Sequence, residues 1–286
     1  MASPVQGKVG PPVRLAYLGP AGTFTEEAAL RYNAQAELLP CPTIGAVAAA
    51  VRLGQTTHGI APVENSLQGS ITDTLDLLIH EDGVYIQGEL VLPIVHCLMA
   101  RKGTAVAVVK TVFSHPQALA QCRGYLDRHL AGAELRASLS TAAAVEEMLK
   151  SGVPSAAIAT YRAAELYGAS ILAEGIQDNP NNATRFLVLA RQDHPRTGRD
   201  KTSICFSFAE DRPGQLYGVM REFAERNLNL SKVESRPTRE GLGQYYFLID
   251  IEGHRTDPPV REALARIAKA TSLLKVFGSY PSSKPF

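Results

Sequence analysis

The residues with the most chemistry per unit length lie in Asn179-Pro180-Asn181-Asn182-Ala183-Thr184-Arg185-Phe186. Pro180 between asparagines punctuates a turn, and the apolar run 186–190 is short enough for a core strand. A hydroxyl that donates hydrogen bonds and a guanidinium that binds anions therefore meet at a loop-to-strand junction. Equally, β-branched Thr184 suits a strand for its own sake, and Arg185 reads as a solvated flank. Three more polar clusters invite the same question. Glu64-Asn65-Ser66 and the residues to Ile71 place an acid, an amide and hydroxyls where a strand gives way to a helix. Open α/β sheets bind ligands at such ends, although Asn65 or Ser66 serves as well for a helix cap. In Ser114-His115-Pro116-Gln117 the histidine reads as a cap or as a base, and Gln117 and Gln121, four apart, share a helix face. Gly19-Pro20-Ala21-Gly22 feeds a helix opened by Thr23, whose N-terminal N–H groups suit an anion or simply follow a tight turn. It matches neither the dinucleotide fingerprint nor a phosphate loop.

The chain that must position these groups has 286 residues, of which 45% are hydrophobic, enough for two or three folding units. Its 29 basic and 28 acidic residues nearly cancel. No global field then draws nucleic acid or an anionic membrane, and any anionic ligand must be held by local groups. Cys41, Cys97, Cys122 and Cys205 form no CxxC pair, which argues against a zinc or redox site and for a reduced compartment. No metal and no cofactor is expected. Residues 1–12 lack the apolar segment of a signal peptide, and no apolar run reaches membrane-spanning length, so a cytoplasmic location is expected.

Strand and helix signals alternate over 13–191. Strands are expected at 13–18, 58–62, 106–113, 156–160 and 186–190. Helices are expected from Thr23 (capping box with Glu26), over 44–53, over 116–130 with Leu119, Cys122, Leu126 and Leu130 on one face, from Ser140 or Thr141 to Lys150, and over 161–167 before Gly168. The apolar stretch 90–100 reads as a crossing into a second lobe. Residues 192–200, dense in charge with Pro195 and Gly198, read as a linker. Over 201–280 the order becomes βαββαβ, with a hairpin at 239–243, which is the ferredoxin-like arrangement.

Taken together, Gly19-Pro20-Ala21-Gly22-Thr23-Phe24, Pro62-Val63-Glu64-Asn65-Ser66, Ser114-His115-Pro116-Gln117 and Asn182-Ala183-Thr184-Arg185-Phe186 resemble the prephenate dehydratase family. The C-terminal module, with Arg212-Pro213-Gly214 and Glu234-Ser235-Arg236-Pro237, resembles its ACT domain. The resemblance implies an α/β protein: a two-lobed, periplasmic-binding-protein-like catalytic domain over 13–191, crossing near 92 and returning near 182, then an ACT regulatory domain over 201–280. The reaction implied is loss of water and carbon dioxide from prephenate to give phenylpyruvate, in phenylalanine biosynthesis. Relatives that carry a chorismate mutase segment place it ahead of this unit; with the first strand starting near residue 13, that activity is not expected.

By the same resemblance the catalytic positions are Thr184, Asn65, Ser114 and Gln121, with Arg185, Phe186, Thr23, Glu64 and Ser66 binding substrate. Thr184 would donate to the leaving hydroxyl, and Arg185 would hold a substrate carboxylate unless it pairs structurally with Glu64. Phenylalanine would bind at Gly214, Gln215, Leu216, Glu234, Ser235, Arg236 and Pro237, where Gln215 departs from the small residue usual after that glycine. A homodimer or homotetramer is implied. Arogenate dehydratase and a catalytically inactive amino-acid sensor share these features.

Overall fold

The computed structural model describes residues 13–239 and 243–283. The reading of residues 1–12 and most of the expected 239–243 hairpin fall outside the described residues. The elements run β1 (Arg14–Leu18), α1 (Phe24–Tyr32), β2 (Glu37–Cys41), α2 (Ile44–Arg52), β3 (His58–Asn65), β4 (Gly69–Ser70), α3 (Thr72–His80), β5 (Tyr85–Pro93) and β6 (Cys97–Ala100). They continue with β7 (Thr111–Ser114), α4 (Pro116–Gln121), α5 (Arg123–His129), β8 (Glu134–Ala137), α6 (Thr141–Lys150), β9 (Ser155–Ala159), α7 (Tyr161–Tyr167), β10 (Ser170–Ala173) and β11 (Ala183–Ala190). The last are β12 (Asp200–Ser207), α8 (Gln215–Ala224), β13 (Leu230–Pro237), β14 (Tyr245–Glu252), α9 (Pro258–Ala270) and β15 (Leu273–Pro281). The chain is mixed α/β, as the alternation predicts.

Two compact units emerge. Among the described residues, the first comprises 13–60, Asn65–Gln68 and Leu92–Thr184; the second comprises Ala61–Glu64, Gly69–Val91 and those from Arg185 onward. The chain therefore changes unit inside β3 and between Thr184 and Arg185.

In the first unit β1 pairs in parallel with β2 and with β3. A second sheet has the order β10-β6-β9-β7-β8, with β7 parallel to both β8 and β9. Its inner strands β6, β9 and β7 are buried along their length because helices cover both faces, and α6 packs Ala144, Val145 and Met148 onto the sheet, whereas the edge strand β8 exposes Glu134 and Arg136. Thr23 and Ser140, caps expected from sequence, each accept a backbone N–H three residues on, as does Thr160, the expected end of a strand; α7 ends at Gly168 in the left-handed conformation.

Two expectations for this unit change. The strand over 106–113 is only Thr111–Ser114; Val106–Val108 form a single 3-10 turn whose Val108 is exposed. The single helix over 116–130 is two, α4 and α5, broken at Cys122 (φ −112°, ψ 15°). The cause is an insertion: Asp178 N–H donates to the Gln121 carbonyl at 2.8 Å, and Asp178 Oδ2 accepts from Gly124 N–H at 2.9 Å. Both groups are thereby withdrawn from the helical ladder. A Cβ at Gly124 would stand 2.7 Å from Asp178 Oδ1, so glycine makes the insertion possible. The apolar face survives the break, with Cys122, Leu126 and Leu130 still in one core cluster.

In the second unit β11 lies between β3 and β5 in sheet order, with β4 against β3. The C-terminal sheet is antiparallel in the order β13-β14-β12-β15, the βαββαβ topology expected. Ile204, Phe206, Val219, Phe223, Ile249 and Ile267 form its core under α8 and α9. At Gly278 a Cβ would lie 2.2 Å from the Ile86 carbonyl oxygen, so the backbone of β15 comes within touching distance of β5.

Candidate active site

Asn65, at the end of β3, sets the polarity of everything around it. Its Oδ1 accepts from the backbone N–H groups of Leu67 (3.0 Å) and Gln68 (3.2 Å), an Asx turn that only an oxygen can make. Nδ2 must then be the donor, and it faces Asn182 Oδ1 at 2.9 Å, Thr184 Oγ1 at 3.0 Å and the Ala183 carbonyl at 3.1 Å. With its Oδ1 accepting, Asn182 donates through Nδ2 to Gln121 Oε1 at 3.0 Å. The same Gln121 oxygen lies 2.8 Å from His96 Nε2, so the imidazole carries its proton there. Two backbone N–H groups thus fix the direction of a chain of side chains, His96–Gln121–Asn182–Asn65–Thr184, all within the first unit.

The two ends of the chain matter chemically. Thr184 is buried and accepts from Asn65, which leaves its own hydrogen to point elsewhere. At the other end Gln121 Nε2 and His96 Nδ1 are buried without a partner. An amide nitrogen with two hydrogens and a hydroxyl with one are neutral donors suited to an oxygen-rich ligand. Burial holds the His96 pKa below its ordinary value, the Gln121 bond opposing only in part, so the ring is neutral near pH 7. The helix break places Gln121 as the last residue of α4, where its side chain meets both His96 and the 179–182 turn.

The other sequence candidates fall outside this chain. The Ser114 hydroxyl, fully buried, donates to the Ile158 carbonyl at 2.6 Å and ties β7 to β9. Ser66 latches the polar turn, donating to the Asn181 carbonyl and accepting from Ala183 N–H. Thr23 caps α1, while the Glu26 carboxylate turns back to Gly22 N–H and so occupies the helix N-terminus with a protein anion. His115 caps α4 through its ring nitrogen, as its alternative reading had it. Phe186 is core.

Arg185 lies in the second unit and is committed to protein groups. Its Nε donates to Glu89 Oε2 and its Nη1 to Asp250 Oδ2, both at 2.7 Å, and its Nη2 to the Tyr280 hydroxyl at 2.9 Å. Lys201 Nζ adds a second cation 2.9 Å from Glu89. Glu64 stands 3.6 Å from Arg185 and 3.3 Å from Lys232, which is the structural pairing considered from sequence, with stronger partners added. Burial alone would raise the Glu89 pKa, but Arg185 and Lys201 pull it below the ordinary carboxylate range. A clamp for a ligand carboxylate needs donors to spare, and this guanidinium has spent its best ones.

A cavity of about 450 Å³ in the C-terminal sheet is lined by Arg212, Gly214, Gln215, Leu216, Ser235 and Tyr245 among others. Gly214 has φ 85° and starts α8, and Gln215 folds back so that Oε1 accepts Arg212 N–H. Strand alternation splits the Glu234–Pro237 motif. Ser235 faces the cavity, whereas Glu234 accepts from Ser70 and pairs with Lys232, and Arg236 binds Asp76 at 2.6 Å. Pro237 ends β13 at the surface.

Sequence reading missed His96 and the amide of Asn182. Asn182 sat inside a motif noted for other residues, and His96 follows Pro93 in an apolar run where a lone polar residue was the available signal. Among the described residues no group of side chains could hold a metal ion, and no helix is long and apolar enough to cross a membrane.

The family model for prephenate dehydratase matches residues 15–194, and the model for the ACT domain matches 203–269. A prephenate dehydratase of Mycolicibacterium vanbaalenii is 39% identical, over 94% of this chain and 91% of its own. Arogenate dehydratase 5 of Arabidopsis thaliana is 41% identical, over 95% and 68%. The crystal structure of prephenate dehydratase from Arthrobacter aurescens in complex with L-Phe superposes with a TM-score of 0.87 at 38% identity, covering 94% of this chain and 90% of that one. This chain belongs to the prephenate dehydratase family and carries its ACT domain.

Proposed function

We propose that this dehydratase converts prephenate to phenylpyruvate, with Thr184 as the hydrogen-bond donor to the departing hydroxyl. The bond from the ring to its carboxylate breaks, and the electron pair enters the ring. The carbon–oxygen bond on the far side breaks in turn, releasing carbon dioxide and an oxygen that leaves as water once it has gained a solvent proton. Aromaticity drives the step, so no base is required; the need is for a donor at the leaving oxygen. One observation carries the reading: Asn65 donates to Thr184 Oγ1, so the threonine's single hydrogen is directed away from the protein's own network.

Asn65 orients Thr184, and Gln121 offers its unpartnered amide hydrogens to a substrate oxygen. Ser114, Ser66 and Thr23 serve the backbone that carries these groups, and Arg185 is a structural cation rather than the substrate clamp. Catalysis occupies 13–191 and regulation 201–280, with 192–200 between. Phenylalanine is the effector and takes the cavity beside Gly214 and Ser235, a reading supported by the lining residues and by the family. The enzyme works in the cytoplasm, which agrees with four buried free cysteines, and forms a homodimer or homotetramer as the family resemblance implies.

Arogenate, which differs by an amino group in place of the keto oxygen, is the second reading, favoured by the 41% identity to an arogenate dehydratase. Initial rates on both substrates separate them. Faster turnover of prephenate is expected; turnover of arogenate alone moves the assignment, and turnover of neither leaves an amino-acid sensor. Calorimetric titration without phenylalanine binding would remove the effector while leaving catalysis untouched.

A further inference from the structure

We propose that His96 is a positioning residue for the dehydration: its Nε2–H fixes the Gln121 side chain so that the amide N–H₂, and not the amide oxygen, meets the substrate. This rests on the reading of Gln121 as a substrate contact.

An amide can turn over by 180° at small cost in shape, and either end can hydrogen-bond. Here only one orientation is consistent. Gln121 Oε1 lies within 2.8 Å of His96 Nε2 and 3.0 Å of Asn182 Nδ2, and the latter is a donor because Asn182 Oδ1 already accepts from Asn65. Turning the amide over would set Gln121 N–H₂ against Asn182 N–H₂ and against the imidazole N–H. Asn182, itself buried and held by Asn65, fixes Oε1 from one side. His96 fixes it from the other. Its ring is 2% exposed, its backbone N–H is held by Gln177 Oε1 at 3.0 Å, and the ring stands edge-on to Phe24 at 5.5 Å.

With both lone-pair directions of Oε1 taken, Nε2 is left buried with two hydrogens and no acceptor. A buried amide without a partner costs free energy that an acceptor recovers, so the group is set for an oxygen. The partner class is an oxygen of a carboxylate or carbonyl, and an ammonium group is excluded from this point. His96 is neutral and keeps its proton throughout, so it holds and does not transfer.

The test is a double-mutant cycle read in kcat/KM on prephenate, with His96→Phe, His96→Gln and Gln121→Met. His96→Phe keeps an aromatic ring but loses the donor, and should lower kcat/KM by about 10- to 100-fold, the scale of a misplaced substrate contact. His96→Gln restores a donor at the same distance from the backbone and should recover to within about threefold. In the Gln121→Met background His96→Phe should change kcat/KM by less than about twofold, because its target is gone. Additive losses, or no rescue by glutamine, would overturn the proposal. A readout independent of turnover runs beside it: imidazole ¹⁵N shifts of the wild type should show His96 protonated at Nε2, with the Nε2 signal displaced in Gln121→Met. Protonation at Nδ1 overturns the proposal, whatever the enzyme's substrate proves to be.

Discussion

Thr184 and Arg185 are neighbours in one motif and on one strand, yet their surroundings are opposite in kind. Thr184 joins a chain of neutral amides and an uncharged imidazole that leaves the buried Gln121 amide nitrogen without an acceptor. Arg185 joins a balanced set of charges, Glu89, Asp250 and Lys201, in which each donor finds an oxygen. The difference teaches how to tell a site from a scaffold. A site keeps buried polar atoms in reserve for a ligand; a scaffold spends them on itself. The sequence motif contains both and does not distinguish them.

The sharpest way to break that comparison is at the scaffold. Arg185→Met leaves Asp250 buried without its cation and Glu89 with Lys201 alone, and should lower stability by about 3 kcal/mol in urea unfolding. A variant as stable as the wild type, with a raised KM instead, would return Arg185 to substrate binding. Next in size is Asn65→Asp, which keeps the Asx turn but removes both amide hydrogens, so Thr184 loses its donor partner. Turnover should fall by about 10²-fold with the fold retained.

Acid tests the charged set alone. The folded pKa of Glu89 lies below its ordinary value, so on acidification the unfolded chain takes up this proton first. Its contribution to stability is complete above the ordinary pKa of 4.5 and is lost as the pH falls through the lower folded value. Melting temperature should drop steeply below about pH 4.5, and less steeply in Glu89→Gln. Equal slopes would place the acid sensitivity elsewhere. The smallest effect separates the two faces of β13: Ser235→Val should weaken phenylalanine binding by about 1 kcal/mol, the worth of one hydrogen bond, while Glu234→Gln leaves the affinity within about twofold. Equal losses at both positions would mean that both side chains hold the effector.

Local chemistry made much of the fold legible. Thr23 and Ser140 announce helix starts, Gly168 a helix end, and the alternation of Ile204, Phe206 and Phe208 a strand with a single apolar face. What was hidden depends on distance along the chain. Arg185 has partners 96, 65 and 95 residues away, so nothing near it reveals that its donors are taken. Asn65 and Asn182, 117 residues apart, decide each other's orientation in the same way. The break between α4 and α5 was invisible because the inserting group, Asp178, is 54 residues from the glycine it meets.

The most direct measurement compares initial rates of phenylpyruvate formation from prephenate for the wild type and Thr184→Val, which keeps the shape of the side chain and removes its only donor. The expected result is turnover in the wild type and a loss of about 10²-fold or more in kcat for the variant, with the melting temperature little changed. A variant that turns over within about threefold of the wild type would contradict the account, because the hydrogen that Asn65 directs outward from Thr184 would then have no part in the chemistry.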